Sequence, residues 1–293
     1  MLGAALRQAL AGRGNRVLQL VRRRPAVAGE LEWNPTAAAP IPDTAPLEGL
    51  AAALHLSGAS VAAHRWTAAY KREMAMSRVE STHALASMLA SLRQPPSTLL
   101  VASATGIYGD RGEELLDETS GPGTGFLADL CGQWEAAAQP ATAAGIRVAN
   151  LRLGVVVGPG GALAKMLPLF RMGLGGRLGS GRQWMSWIGL ADAVAAVLFL
   201  LDTPALSGPV NLTAPQPVTN AAFTRALGQA VHRPALLPAP AFALRLALGE
   251  MADVALLASA RVYPSRLTSA GFRFTHNTIG QALNAALTPE RQP

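Results

Sequence analysis

The sequence predicts an α/β fold with a doubly wound parallel sheet. Apolar runs of strand length alternate with longer stretches of helical periodicity, and glycine- and proline-containing turns separate them. Half of the 293 residues are apolar and only 15% are charged. Such a chain buries a core, either as one large domain or as a main domain with a smaller appendage.

The first elements are short. Residues 2–10 carry apolar side chains at three- and four-residue spacing, which predicts a helix that ends at Gly12 or Gly14. Residues 17–21 form an apolar run typical of a buried strand, and three arginines follow it. Residues 35–46 are rich in proline and alanine and predict a loop.

The later elements repeat the alternation. They are a strand around residues 53–56, a helix over 68–92, a strand over 97–105, a helix over 125–138, and a strand that leads into a glycine turn over 146–161.

Composition excludes several function classes. No run approaches the roughly 18 apolar residues that a membrane span needs. The single cysteine, Cys131, cannot form an internal disulfide, and no cluster of metal ligands is evident, so we expect no metal and a reducing, cytoplasmic location. The net charge is +7, but the arginines are scattered without interleaved aromatic residues, and we expect no nucleic-acid partner. Oligomeric state is left open.

Strand ends give the first candidate site. Ligands of open α/β sheets bind at the carboxyl ends of the strands, which here points to Arg22 and Arg23, to residues 56–58 and to residues 103–108. Arginines at the end of residues 17–21 favour the 2′-phosphate of NADP, whereas an acid there would favour NAD. The alternative is a solvated basic turn.

Several long motifs carry a family resemblance. The segments ASATGIYGD, LRLGVVVGPGGALAKMLPLFRMGLGG and GSGRQWMSWIGLADAV resemble the atypical, epimerase-like family of the short-chain dehydrogenase/reductase superfamily, described as nucleoside-diphosphate-sugar epimerases. The tail that begins PAFALRLALGE is similar to that family's short C-terminal domain of unknown function. The resemblance runs from about residue 1 to residue 285. It implies a Rossmann-type, NAD(P)-binding domain over residues 1–235 and a small helical domain over residues 236–290.

The resemblance also implies contacts with NADP(H). Arg22 and Arg23 would hold the adenosine phosphate. The remaining cofactor residues are Gly3, Leu56, Ser57, Gly58, Glu73, Arg78 and Val156. For Glu73 and Arg78 the spacing alone favours a salt bridge on a helix surface.

The usual acid–base pair of the superfamily is a tyrosine with a lysine four residues later. None of the three tyrosines has this lysine, and the corresponding places, counted back from Glu135, hold Leu127 and Cys131. Tyr108 is the candidate substitute acid, with Ser103 or Thr105 to hold a substrate hydroxyl. Alternatively, Tyr108 only packs within its turn.

A glycine-rich loop is the candidate substrate site. Arg182, Trp184 and Trp187 could clamp an anionic or ring-shaped small molecule, whose identity the sequence does not reveal. The alternative is a rigid loop anchored by its aromatic residues.

The N-terminus raises a further expectation. Relatives begin with a strand and a glycine turn, and Gly3 aligns with the last glycine of that turn, so the resemblance implies that the first strand is missing from this chain. A start codon assigned too far downstream and a degenerate protein are both open. A transit peptide would suit the arginine-rich, acid-free residues 1–29, but the fold pattern continues in register through them. We expect weak dinucleotide binding by this chain, and stronger binding with about ten residues restored, because they supply the phosphate-binding turn.

Two functions remain open. One is an NADP-dependent epimerase or oxidoreductase with a non-standard acid. The other is a protein that binds the dinucleotide as a structural or sensing ligand without turnover, or a degenerate homologue without cofactor.

Overall fold

The computed structural model describes residues 1–37 and 39–288. The strands are β1 (Gln19–Val21), β2 (Glu30–Glu32), β3 (Ala52–His55), β4 (Thr98–Ala104), β5 (Leu115–Leu116), β6 (Arg147–Leu153), β7 (Val155–Val157), β8 (Trp184–Met185), β9 (Trp187–Gly189), β10 (Gly208–Leu212), β11 (Val218–Thr219) and β12 (Arg261–Val262). The α-helices are α1 (Leu2–Gly12), α2 (Ala68–Ala75), α3 (Ser81–Ala90), α4 (Phe126–Ala136), α5 (Gln139–Ala143), α6 (Gly161–Arg171), α7 (Leu190–Asp202), α8 (Asn220–Ala230), α9 (Ala241–Leu248), α10 (Ser265–Ser269) and α11 (Ile279–Leu287).

The centre of the molecule is a four-stranded parallel sheet in the order β10-β6-β4-β3. Successive side chains of β4 enter opposite layers, as strand geometry requires. Leu99 packs with α3, α4 and α5, whereas Leu100 packs with α1 and α7. The predicted doubly wound α/β fold is confirmed.

Strands β1 and β2 form a separate parallel ladder. Within the described residues this ladder has no backbone pairing with the four-stranded sheet, so β3 is an edge strand that pairs only with β4. Apolar side chains still connect the two, because Leu20 and Ala53 pack against one core cluster.

The helix predicted over residues 68–92 is interrupted. A π-helical turn, Met76–Glu80, separates α2 from α3. Gly154 lies between β6 and β7, and a Cβ at this position would lie 2.7 Å from the carbonyl oxygen of Ser186.

The C-terminal segment is tied to the main sheet. Helix α11 packs against α8, and β12 pairs with β5. The carboxylate of Asp192 on α7 accepts hydrogen bonds from the backbone N–H groups of Thr275 and His276 at 2.7 and 2.9 Å. The predicted domain boundary at residue 235 falls in the loop between α8 and α9 and stays a prediction. The predicted end at residue 290 lies outside the described residues.

Candidate functional site

The carboxyl ends of β3, β4 and β6 meet at one edge of the sheet because the three strands are parallel. Leu56–Gly58 follow β3, and a 3₁₀ turn, Thr105–Tyr108, follows β4. Leu56 is partly buried, whereas Ser57 and Gly58 are exposed. The edge predicted from the sequence therefore brings these residues together.

Helix α1 begins beside this edge. A Cβ at Gly3 would lie 3.9 Å from Cδ1 of Leu56. On its other side, Met1 packs against the glycine turn after β7, where a Cβ at Gly158 would lie 2.8 Å from the Met1 sulfur. Val156, in β7, is partly buried and packs with the core on the α1 side. The first turn of α1 has no acidic residue and no side-chain cap, so the N–H groups of this turn lack a capping side chain.

The two arginines after β1 differ. Arg23 forms a two-point ion pair with Glu30, with N–O distances of 2.5 and 2.7 Å. Glu30 accepts hydrogen bonds from Arg23, which has the larger effect, and from the Ala26 N–H, and these bonds lower the pKa of Glu30 to about 2. Arg22 is exposed and has no ion-pair partner among the described residues. Arg22 is therefore the more available of the two for an external phosphate.

Arg78 lies on the π-helical turn and crosses the end of β3. It donates to the carbonyl of Ala59 at 2.7 Å and to that of Met74 at 3.2 Å, and its guanidinium stacks over Trp134. A Cβ at Gly58 would lie 3.0 Å from the guanidinium carbon, so a larger residue there would require the Arg78 side chain to shift. Glu73 is exposed, and Arg78 bonds carbonyl oxygens rather than Glu73.

Below the strand ends lies a buried ion pair. Arg152 on β6 binds Glu135 on α4 through two contacts of 2.8 and 2.9 Å. Burial is the largest single influence on Arg152 and opposes its charge, but the hydrogen bonds and charge interactions with Glu135 and Tyr108 together outweigh burial and raise the guanidinium pKa. The hydroxyl of Ser103 donates to the same carboxylate at 2.7 Å. Ser103 is only 2% exposed, so its hydroxyl is bonded to Glu135 and is not open to solvent.

Tyr108 extends this network. Its hydroxyl accepts from Arg152 at 3.0 Å and donates to the Asn211 side chain at 2.8 Å. Burial raises the pKa of this phenol, and its side chain is fully enclosed. The proton of Tyr108 is therefore directed at Asn211, and the geometry favours its packing and positioning role over proton transfer.

Leu127 and Cys131 cover the turn after β4. A Cβ at Gly106 would lie 3.4 Å from Leu127 and 3.9 Å from the Cys131 sulfur. Burial raises the pKa of the Cys131 thiol to about 11, which keeps it neutral. Neither side chain at these two places supplies a charge at neutral pH.

The three candidate substrate residues of the glycine-rich loop have different environments. Arg182 is exposed, and Trp184 is half-buried between Arg261, which stacks on it at 4.5 Å, and Glu113, which accepts from its indole N–H at 2.7 Å. Trp187 is a fully buried core residue whose indole N–H donates to the carbonyl of Gln216. Trp184 and Arg182 can meet a ligand at the surface, whereas Trp187 anchors the loop.

The sequence did not single out the Glu135–Arg152 pair as a unit. The available signal was a charged residue, Arg152, inside an apolar strand, because a buried charge needs a partner. In the part of the chain that the structure describes, no group of three metal-ligating side chains occurs. Nor is any described helix long and apolar enough to cross a bilayer.

Comparison of this chain with known proteins identifies related families. Residues 1–212 match the model of the NAD-dependent epimerase/dehydratase family, and residues 239–286 match a domain of unknown function, DUF1731. An epimerase family protein of Mycobacterium bovis is 48% identical over 289 residues, which cover 98% of this chain and 95% of that relative.

Solved structures agree. The human epimerase family protein SDR39U1, crystallised with NADPH, superimposes with a TM-score of 0.89 at 31% identity and covers 98% of this chain and 95% of its own. A nucleoside-diphosphate sugar epimerase of Corynebacterium glutamicum has a TM-score of 0.79 at 34% identity and covers 98% of this chain and 56% of its own. The resemblance seen in the sequence is confirmed: this chain belongs to the NAD-dependent epimerase/dehydratase family.

Proposed function

We propose that this chain binds NADP(H) along the carboxyl ends of its strands, with the 2′-phosphate on Arg22. The observation that carries the proposal is the contrast between the two arginines, since Arg23 is held by Glu30 while Arg22 is exposed and has no ion-pair partner among the described residues. A guanidinium in this state can form charge-assisted hydrogen bonds with a phosphate. The human relative crystallised with NADPH supports the choice of cofactor.

The other residues of the edge fit the same dinucleotide. The first turn of α1 offers N–H groups and the positive end of the helix dipole to the pyrophosphate. Leu56 and Ser57 would lie against the adenosine side, and Gly58 leaves room for the Arg78 guanidinium. When bound, the nicotinamide supplies or accepts a hydride.

Calorimetric titration with NADPH and with NADH tests the proposal. We expect Arg22→Ala to weaken NADPH binding about tenfold, which corresponds to one charge-assisted hydrogen bond, and to leave NADH binding unchanged. Arg24→Ala is the matched control, since Arg24 is exposed in the same turn. Equal affinities of the wild type for the two cofactors, or an equal loss in both variants, would remove Arg22 from this role.

Binding without turnover is the activity that the geometry supports best. The hydroxyls of Ser103 and Tyr108 are buried and donate to other side chains. In addition, Leu127 and Cys131 occupy the places of the usual acid–base pair. The dinucleotide would then act as a structural or sensing ligand.

The second candidate is an NADP-dependent oxidoreductase or epimerase that acts on an unidentified small molecule. It is favoured by the position of Ser103 and Tyr108, which lie at the carboxyl end of β4 and share one hydrogen-bond network. A screen of carbonyl compounds and sugar nucleotides for loss of NADPH absorbance tests it. Turnover that Tyr108→Phe abolishes would favour this candidate, and cofactor binding without turnover would favour the first.

A further inference from the structure

A cavity of about 870 Å³ lies outside the strand-end edge. Its walls come from three segments, namely the extended stretch that contains Arg177, the outer face of α8, and the loop of residues 232–238. Cavities of several hundred Å³ are of the size that small-molecule ligands occupy. None of the residues expected to hold the dinucleotide lines this cavity.

Backbone contacts fix the walls relative to one another. The N–H of Ala239 donates to the carbonyl of Arg177 at 2.9 Å, and the N–H of Leu237 donates to that of Gly175 at 3.2 Å. On the helix side, a Cβ at Gly228 would lie 2.9 Å from the carbonyl oxygen of Arg233, so the loop rests directly on α8. The cavity is therefore a built feature of the fold, bounded by segments that hold one another in place.

The lining is basic. Arg177, Arg225, Arg233 and His232 line the cavity, and none of its lining residues is acidic. Arg233 is anchored, because its Nε donates to the carbonyl of Arg171 at 3.1 Å and its Nη1 to that of His232 at 3.3 Å. Several guanidinium groups around one cavity create a positive potential that selects an anion.

Two more features restrict the ligand. Thr224 lines the cavity and is 4% exposed, and its hydroxyl has no hydrogen-bond partner within residues 1–37 and 39–288. A buried polar group without a partner is costly, and a ligand oxygen that reaches this hydroxyl after a small shift of the cavity wall would satisfy it. The lining also contains the apolar residues Pro234, Leu236 and Pro238. Leu236 is 81% exposed.

We propose that this cavity, the α8 cavity, is a second ligand site that binds the phosphate ester of an organic molecule. The arginines bind the phosphate oxygens, the Thr224 hydroxyl provides a further hydrogen bond, and the proline–leucine wall contacts the organic part. Guanidinium groups suit phosphate because each can bind two oxygens at once. The site is independent of the proposed dinucleotide site.

Amide chemical shifts measured by NMR test the site, with inorganic phosphate and phenyl phosphate as probes at matched ionic strength. We expect both probes to shift amides of α8 and of residues 232–238, and phenyl phosphate to bind more tightly because of the apolar wall. The double variant Arg177→Ala/Arg225→Ala should lower the affinity at least tenfold. Arg93→Ala is the control, since this arginine is 91% exposed elsewhere on the surface.

Thr224→Val separates binding from folding. It removes the hydroxyl at nearly constant volume, so we expect several-fold weaker phosphate binding without a loss of thermal stability. Shifts confined to the strand-end edge, shifts reproduced by sodium chloride, or equal affinity of the double variant and the wild type would overturn the proposal.

Vesicles distinguish the two sources of a phosphate ester. A lipid headgroup would be identified by two results. The protein would co-sediment with phosphatidylcholine vesicles that contain phosphatidic acid but not with phosphatidylcholine alone, and the double variant would lose this co-sedimentation. Phenyl phosphate binding without co-sedimentation would identify a free metabolite. Failure of both probes and both vesicles would overturn the site.

Discussion

At the carboxyl end of β1, Arg22 is exposed and only Arg23 is held by a carboxylate. At the carboxyl ends of β4 and β6, by contrast, Arg152 is buried and engaged by Glu135 and Tyr108 at the same time. Both regions place arginine at a strand end of one α/β fold. The first leaves a charge available to a ligand, whereas the second uses its charge to join α4, β4 and β6.

The difference teaches that position at a strand end does not by itself make a residue functional. A hydroxyl or guanidinium acts on a ligand only where its hydrogen-bonding capacity is not already filled. In this chain the exposed end of β1 suits binding, and the buried ends of β4 and β6 suit rigidity.

The largest expected effect comes from breaking the buried pair. Glu135→Ala leaves Arg152 buried without its partner, and we expect a loss of about 3–5 kcal/mol in the free energy of unfolding, measured with urea. The double variant Glu135→Leu/Arg152→Met should recover much of that loss, because no unpaired charge remains. If Glu135→Ala unfolds as the wild type does, the pair does not have the structural role assigned to it.

A smaller effect on the free energy of unfolding is expected from lowering the pH, through His55 on β3, between the two regions. Burial lowers the pKa of His55 from 6.5 to about 4. Between pH 6.5 and 4, His55 is therefore protonated in the unfolded chain but neutral in the folded chain. The contribution of His55 to the free energy of unfolding is fully present above pH 6.5 and is lost as the pH decreases towards 4. We expect this group alone to contribute a loss of about 3 kcal/mol across that window.

His55→Gln isolates this contribution. Its side chain does not titrate and keeps a polar group near the Ser81 hydroxyl, which lies 3.1 Å from Nε2 of His55. The difference in unfolding free energy between wild type and variant should change between pH 6.5 and 4. A constant difference would show that the histidine does not titrate as described.

The smallest effect is expected at Tyr108. Tyr108→Phe removes one hydroxyl and leaves an N–H of Arg152 and the Asn211 side-chain oxygen without this partner. We expect a loss of about 1–2 kcal/mol in urea unfolding with NADPH affinity unchanged. A marked loss of NADPH affinity in a stably folded variant would instead connect the two regions.

Much of the fold could be predicted from the sequence, because periodicity and turn residues are local signals. The helix predicted over residues 2–10 extends to Gly12, and the strand predicted over 97–105 is Thr98–Ala104. The family could be predicted because its motifs are long. The π-helical turn could not, because an apolar pattern does not reveal one extra residue in a helical turn.

The candidate site was harder to predict because availability depends on tertiary partners. No local pattern distinguishes Arg22 from Arg23, and only the fold brings Glu30 to the second of them. The two tryptophans of the glycine-rich loop also look alike in sequence. Trp187 belongs to β9, which pairs with β7, and its side chain is in the core, whereas Trp184 remains at the surface.

The π-helical turn also has a consequence for length variation in this protein. A π-turn contains one residue more than the equivalent α-turn, so a one-residue deletion within Met76–Glu80 could be absorbed as a continuous α-helix. The deletion would leave α2 and α3 in nearly their present relative orientation, and only the side chains of the turn would change direction. Arg78 would then turn away from Gly58, so a shortened chain could keep its helix and still lose the arginine from the strand end.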